Sequence, residues 1–147
     1  MTRGVELQGR SLHPGEATGS ILRLEPLSFW GGTNLETGTI TDERHPQRGQ
    51  RVTGRVLVMR TGRGSSSSSS VLAEQLRSGV GPAAIVLAQP DSIIVTGAIV
   101  AAELYDHHLP VVQLTQDELD RLPDGDSVFV EAGVAAATII SAPEPRK

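Results

Sequence analysis

The chain has 147 residues, a net charge of −4 at neutral pH and 38% hydrophobic residues, a composition typical of one soluble globular domain. No basic block suggests a nucleic-acid surface, and no apolar run is long enough to cross a membrane. Cysteine is absent, so we expect neither a disulfide nor an iron–sulfur cluster held by this chain. We therefore expect a single domain over residues 1–147, located by default in the cytoplasm, with no nucleic-acid or membrane partner.

Strands and helices alternate through the middle of the chain. Apolar and β-branched runs predict strands at 17–25, 53–59, 83–87, 110–114 and 127–132, with a weaker strand at 134–141. Helical periodicity predicts helices at 67–78 and 97–106, and a shorter one at 115–121 that opens with a capping box. The alternation favours parallel pairing, whereas both ends of the chain look all-β. We expect an α/β domain built on a β layer or a partial barrel.

The segment at residues 26–49 is long, rich in Gly, Pro, Thr and Asn, and without periodicity. Such a segment in a compact domain is usually functional or disordered, and its two aromatic residues argue against disorder. Within it, the run Ser28-Phe29-Trp30-Gly31-Gly32 fits two interpretations. It is either a hydrophobic plug beneath a loop or the wall of a substrate pocket or subunit contact. In the second case the glycines let backbone N–H groups approach a ligand.

Charged residues and a histidine close the same segment. His45 stands before Pro46, which favours an extended backbone at His45. Two interpretations stay open here as well. Asp42, Arg44 and His45 either form a turn with solvated charges, or they orient a ligand or the serine-rich loop that follows.

That serine-rich loop is the most informative stretch. Gly62-Arg63-Gly64 is followed by six serines, between the strand at 53–59 and the helix at 67–78. A strand-to-helix junction directs free backbone N–H groups and the positive helix end at one spot, which makes a natural anion site. Serines are poor helix interior but good helix starts. A flexible linker is the alternative, although both flanks belong to one structural unit.

Ser65 opens this run, and its hydroxyl either caps the helix or acts as a base or ligand for an anionic substrate. Spacing alone does not choose among the six serines. Neither a nucleophile elbow nor a P-loop fits the surrounding residues. The adjacent His107 and His108 have no metal-like spacing, so we predict no metal site in this chain. The candidate substrate-binding residues are Ser28, Trp30, Gly31, Gly32, His45, Arg63, Gly64 and Ser66.

Four motifs in this order resemble the small subunit of aconitase X, which corresponds to the swivelling domain of aconitase-type hydro-lyases. They lie at 26–32 (PLSFWGG), 37–42 (TGTITD), 45–46 (HP) and 62–66 (GRGSS), and the likeness extends to about residue 100. One position departs from the pattern. Asn34 stands where many relatives have an aspartate, which leaves the role of position 34 open.

The resemblance implies a swivelling β/β/α fold and a large partner subunit that carries an iron–sulfur cluster, with no cofactor in this chain. It also implies that Ser65 takes the proton abstracted during dehydration of a small anionic substrate. Bacterial relatives act on cis-3-hydroxy-L-proline and archaeal relatives on mevalonate 5-phosphate, and the polyserine form favours the bacterial branch. Two other classes stay open: a stand-alone anion-binding or regulatory module, and a non-catalytic partner that buries its Phe29-Trp30 loop in a larger protein.

Overall fold

A computed structural model describes residues 4–142, which form seven strands and four helices. The strands are β1 (Glu6–His13), β2 (Gly15–Arg23), β3 (Val56–Met59), β4 (Ala84–Leu87), β5 (Val111–Gln113), β6 (Ser127–Ala132) and β7 (Ala136–Ser141). The helices are α1 (Phe29–Gly32), α2 (Ser67–Ser78), α3 (Ser92–Tyr105) and α4 (Gln116–Leu119). None of the helices in this part of the chain is long and apolar enough to span a bilayer.

The seven strands close into a barrel in the order β1-β5-β4-β3-β2-β6-β7. Strands β2 to β5 pair in parallel, and the other pairs are antiparallel. Parallel neighbours need crossover connections, which the long loop after β2 and the helices α2 and α3 supply. The expected β layer is thus a complete barrel with helices packed against its parallel side.

The short central strands are buried on both faces, which explains their uninterrupted apolar sequence. Successive side chains of β3 point in opposite directions. Val56 and Val58 belong to the cluster that fills the barrel, whereas Leu57 and Met59 pack in the cluster shared with α2 and α3. The sheet therefore separates two apolar cores, one inside the barrel and one beneath the helices.

The predicted elements are largely confirmed. Helix α2 has the predicted bounds. The capping box of α4 also forms: the Thr115 hydroxyl accepts from the Glu118 N–H at 3.2 Å, and the Glu118 carboxylate accepts from the Thr115 N–H at 3.0 Å. Helix α3 begins five residues before the predicted start, at Ser92 rather than 97. The Asp91 carboxylate caps it by accepting from two backbone N–H groups at 2.9 and 3.3 Å.

Strand β1 was not predicted, because its sequence, ELQGRSLH, lacks an apolar alternation. Only Leu7 and His13 are buried in it. The strand forms because both of its edges are paired, with β5 on one side and β7 on the other. Tertiary pairing therefore decides the structure of a segment with weak local preference.

The topology brings two loops together. Because β2 and β3 are parallel neighbours, the segments that follow their carboxyl ends emerge at the same end of the barrel. One is the segment predicted to be functional, which includes α1, and the other is the loop that leads into α2. The Arg63 N–H donates to the Leu27 carbonyl at 3.1 Å and ties the two loops together.

Candidate functional site

A cleft of about 370 Å³ lies between these two loops. Its lining combines most of the residues that the sequence singled out with one further acidic residue. The lining residues are Ser28, Trp30, Gly31, Gly32, Asp42, Arg63, Gly64 and Ser65. Ser66 and His45 are not among them. The fold thus gathers seven of the nine predicted site residues around one open space.

Ser65 stands just before the N-terminus of α2. The N-cap residue of this helix is Ser66, whose hydroxyl makes no capping hydrogen bond. The Ser65 side chain is exposed, and its hydroxyl has no hydrogen-bond partner within residues 4–142. In the same range the N–H groups of residues 64 to 67 lack acceptors. The N-terminus of α2 therefore has backbone donors without acceptors, and the Ser65 residue that lines the cleft lies directly before it.

Arg63 and Asp42 face each other at the side of the cleft. The Arg63 guanidinium lies 3.8 Å from the Asp42 carboxylate, and its side chain is 64% exposed, against 25% for Asp42. The carboxylate is fixed by the Arg44 N–H, which donates to it at 3.0 Å. Asp42 was not among the candidate binding residues, although it closes the TGTITD motif. The cleft thus presents one cation whose charge is partly offset by a fixed anion.

The two aromatic residues of α1 have different environments. Phe29 is 1% exposed and belongs to the core beneath the helices, whereas Trp30 is 59% exposed and lines the cleft. Trp30 (φ −82°, ψ 122°) and Gly31 (φ 79°, ψ −13°) have the dihedral angles of a type II turn, and a glycine suits the positive φ. Both interpretations of this run are therefore met by neighbouring residues: Phe29 packs in the core, and Trp30 forms part of the cleft wall.

A buried hydroxyl from α2 supports this turn. Ser68 is 3% exposed, and its Oγ accepts a hydrogen bond from the Trp30 N–H at 3.1 Å. Ser68 was missed as a candidate. Its signal was its position four residues before Leu72, which places it on the buried face of α2.

His45 lies outside the cleft and contacts backbone groups with both ring nitrogens. The Gln47 N–H donates to Nδ1 at 3.1 Å, so Nε2 carries the proton and donates to the Glu25 carbonyl at 2.9 Å. His45 is 7% exposed and borders a neighbouring cavity of about 420 Å³. These contacts lie within the segment that precedes β3 and not in the serine-rich loop, so His45 stabilises the fold of its own segment.

Asn34 fills its position with an Asx turn. Its side-chain oxygen accepts from the N–H groups of Glu36 at 2.8 Å and Thr37 at 3.0 Å. A carboxylate would accept the same two bonds, so asparagine preserves the loop geometry at a position where we expected aspartate.

The donor set of this chain does not fit an iron–sulfur cluster. The sequence contains no cysteine, and among residues 4–142 no three His, Asp or Glu side chains group as metal ligands.

The barrel and its cleft match a known family of domains. The family model of the aconitase X swivel domain matches residues 6–139. The chain belongs to the aconitase X swivel-domain family. The crystal structure of Thermococcus kodakaraensis aconitase X in its holo-form has the same fold, with a TM-score of 0.79 at 33% identity, and the match covers 92% of this chain and 98% of that chain. The expected swivelling α/β fold is thereby confirmed.

Relatives in the aconitase X family include two kinds of dehydratase. Cis-3-hydroxy-L-proline dehydratase of Pseudomonas aeruginosa is 44% identical over 117 residues, which are 78% of this chain and 20% of that enzyme. The phosphomevalonate dehydratase small subunit of Thermococcus gammatolerans is 35% identical over 129 residues, which are 87% of this chain and 92% of that subunit. The chain therefore spans about a fifth of the first relative and nearly all of the second.

Proposed function

We propose that this chain is the small subunit of an aconitase X-type hydro-lyase that is active only with a larger partner subunit. The observation that carries the proposal is the unoccupied Ser65 hydroxyl at the N-terminus of α2, in a cleft shared with Arg63 and Trp30. The match over most of the length of a dehydratase small subunit supports a separate partner chain. In this proposal the partner holds the iron–sulfur cluster, since the donors of this chain do not fit one.

The residues of the cleft suit the proton-transfer half of a dehydration. Removing a proton α to a carboxylate places negative charge on the substrate, and fixed N–H donors and a guanidinium stabilise such charge. Ser65 in its alkoxide form takes that proton at Oγ and becomes a neutral hydroxyl. The positive helix end and Arg63 favour the alkoxide over the hydroxyl before the transfer. Ser65 is thus the base, and the free N–H groups hold the developing anion.

We propose cis-3-hydroxy-L-proline as the substrate. This substrate is a ring with a carboxylate and a secondary ammonium. The exposed Trp30 indole offers a face to a saturated ring and its cation, and the Asp42 carboxylate offers a partner for the ammonium. The 44% identity to the Pseudomonas aeruginosa enzyme supports the same choice.

Mevalonate 5-phosphate is the second candidate. The cavity of about 420 Å³ beside the cleft is lined by Arg44, Arg60 and Arg63, and guanidinium groups suit a phosphate. Asp42 lines both this cavity and the cleft, and its negative charge disfavours a phosphate dianion near the cleft. Two non-catalytic alternatives remain, an anion-binding module and a structural partner. Under either of them, a complex that contains this cleft would show no turnover.

Reconstitution separates these candidates. The chain is co-expressed with its large subunit, and loss of water from each of the two substrates is measured for the complex and for the chain alone. We expect turnover of cis-3-hydroxy-L-proline by the complex and none by the chain alone. Turnover of mevalonate 5-phosphate alone would show that it, and not cis-3-hydroxy-L-proline, is the substrate. A complex inactive on both compounds would contradict the catalytic proposal.

A further inference from the structure

Helix α2 carries two buried polar side chains on one face. Ser68 and Gln75 are seven residues apart, which is close to two helical turns, and they are 3% and 0% exposed. The Gln75 amide donates to the Thr33 hydroxyl at 2.9 Å and to the Asn34 carbonyl at 3.2 Å. Both side chains therefore hold the segment around α1, one at each end of it.

The hydroxyl of Ser68 completes a closed ring of hydrogen bonds with that segment. The Trp30 N–H donates to Ser68 Oγ at 3.1 Å, and Ser28 Oγ donates to the Trp30 carbonyl at 2.8 Å. The two hydroxyl oxygens are 3.2 Å apart. Because the Ser28 proton is used on the carbonyl, the Ser68 hydroxyl is the donor between them. The Trp30 N–H is thereby bonded to α2 directly, and the Trp30 carbonyl is connected to α2 through Ser28.

The loop that carries Ser65 rests on the same two hydroxyls. Gly64 has φ +116°, and a Cβ built there would overlap the Ser28 hydroxyl and lie 3.0 Å from Ser68 Oγ. The residue immediately before Ser65 and the backbone of Trp30 therefore contact one shared pair of side chains. A shift of Ser68 or Ser28 would change the separation of the two walls of the cleft.

We propose that Ser68 is a positioning residue that fixes the Trp30 wall relative to Ser65. Its catalytic consequence rests on the proposed function, whereas its effect on Trp30 is independent of any reaction. An alanine at 68 leaves the Trp30 N–H without its acceptor and releases the turn from α2. The Ser68 N–H still donates to the Ser65 carbonyl at 3.0 Å after this change and keeps Ser65 at the helix start, so the change acts mainly on the Trp30 wall and on substrate binding. Ser70 is an exposed serine of the same helix and serves as the matched control.

The first test uses the isolated full chain, in which Trp30 is the sole tryptophan. Fluorescence anisotropy and acrylamide quenching are measured for the wild type, Ser68→Ala and Ser70→Ala. We expect lower anisotropy and stronger quenching in Ser68→Ala, with Ser70→Ala equal to the wild type. Unchanged anisotropy in a folded Ser68→Ala chain would overturn the proposal. If Ser68→Ala does not fold, Ser28→Ala breaks the same ring from the other side, and the same shifts are expected.

The second test uses the assembled enzyme and a double-mutant cycle with Trp30→Ala. Small displacements of a binding group cost up to about 10²-fold in rate, so we expect Ser68→Ala to lower kcat/KM by on the order of 10-fold, mainly through a higher KM. In the Trp30→Ala background the same change should have no further effect. An equal loss in both backgrounds would show that Ser68 does not act through Trp30. A complex without dehydratase activity contradicts the proposed function, while the anisotropy test still decides the role of Ser68.

Discussion

At the scale of single residues, Ser65 and Ser66 are adjacent exposed serines, yet only Ser65 lines the cleft. In the assembled enzyme we expect Ser65→Ala to lower kcat by about 10²–10⁴-fold, the usual contribution of a general base. The melting temperature should stay unchanged, since its hydroxyl bonds to nothing within residues 4–142. Ser66→Ala is the control and should retain most of the activity. A Ser65→Ala enzyme that melts earlier but turns over normally would assign Ser65 to capping.

Gly64 is the residue where the backbone geometry of the site is most demanding. Its φ of +116° disfavours other residues, and a side chain would also overlap the Ser28 hydroxyl. Gly49 has a φ of +94° with open space around it, so Gly49→Ala reports the backbone cost alone. We expect Gly64→Ala to lower the free energy of unfolding by about 1–3 kcal/mol more than Gly49→Ala, as overpacking does. Urea unfolding of both variants measures this difference, and equal losses would contradict the clash.

Sequence reasoning found the candidate base but not all of the contacts that hold the cleft around it. Ser65 was visible because it opens a serine run between a predicted strand and a predicted helix. Ser68 was hidden because its role depends on contacts with Trp30, 38 residues away in sequence. Asp42 was recognised only as one of several charged residues that could orient a ligand or the serine-rich loop, because its partner Arg63 belongs to that other loop. Local patterns reveal helix ends, but they do not reveal which side chains of separate loops meet.

At the scale of elements, α2 and α3 approach closely at Gly97. A Cβ at this position would lie 3.0 Å from the Ser69 carbonyl oxygen and 3.1 Å from the Leu72 side chain. Gly97→Val should therefore push the helices apart and lower the free energy of unfolding by about 1–3 kcal/mol. Thr96→Val adds the same side chain on the exposed face of α3 and should change stability by no more than about 0.5 kcal/mol. Equal urea midpoints for the two variants would exclude close packing at Gly97.

The capping box of α4 predicts a pH dependence of stability. The Thr115 N–H and then the Thr115 hydroxyl, which both donate to the Glu118 carboxylate, lower the pKa of Glu118 below its ordinary 4.5. The ionised carboxylate thus stabilises the folded state above pH 4.5, and this contribution is lost as pH falls through the folded pKa. The difference in free energy of unfolding between the wild type and Glu118→Gln should therefore shrink as the pH falls below 4.5. A difference that is constant from pH 6 to pH 3 would contradict the assignment.

The elements differ in how much their own sequence specifies. Helix α4 was predictable because Thr115 and Glu118 form a local signal, and β3 because apolar strands buried on both faces have uninterrupted apolar runs. The early start of α3 was signalled only by Asp91, its N-cap residue. The β-branched residues that follow Asp91 favour strands and therefore obscured the helix start. Strand β1 had no local signal, since its partners lie about a hundred residues or more along the chain.

At the scale of the whole molecule, the exposed Trp30 makes assembly observable. We expect its fluorescence to change when the large subunit or substrate is added, because the cleft that it lines is then covered. Trp30→Ala should weaken the complex by about 2 kcal/mol if the indole is a buried anchor of the interface. Emission and anisotropy titrations on the wild-type chain measure the change. A signal that responds to neither partner nor substrate would place Trp30 outside the functional surface.

Barrel closure also has a consequence for how the protein is made. Of the seven strands of the barrel, β1 is synthesised before the others and its partner β7 after them, with Glu6 opposite Ile140. Until β7 has been synthesised, one edge of β1 stays open to pairing with other nascent chains. Folding that depends on such distant contacts is slow, so we expect closure of the barrel to lag behind synthesis. The yield of folded protein should therefore depend on synthesis rate and on chaperones that shield that open edge.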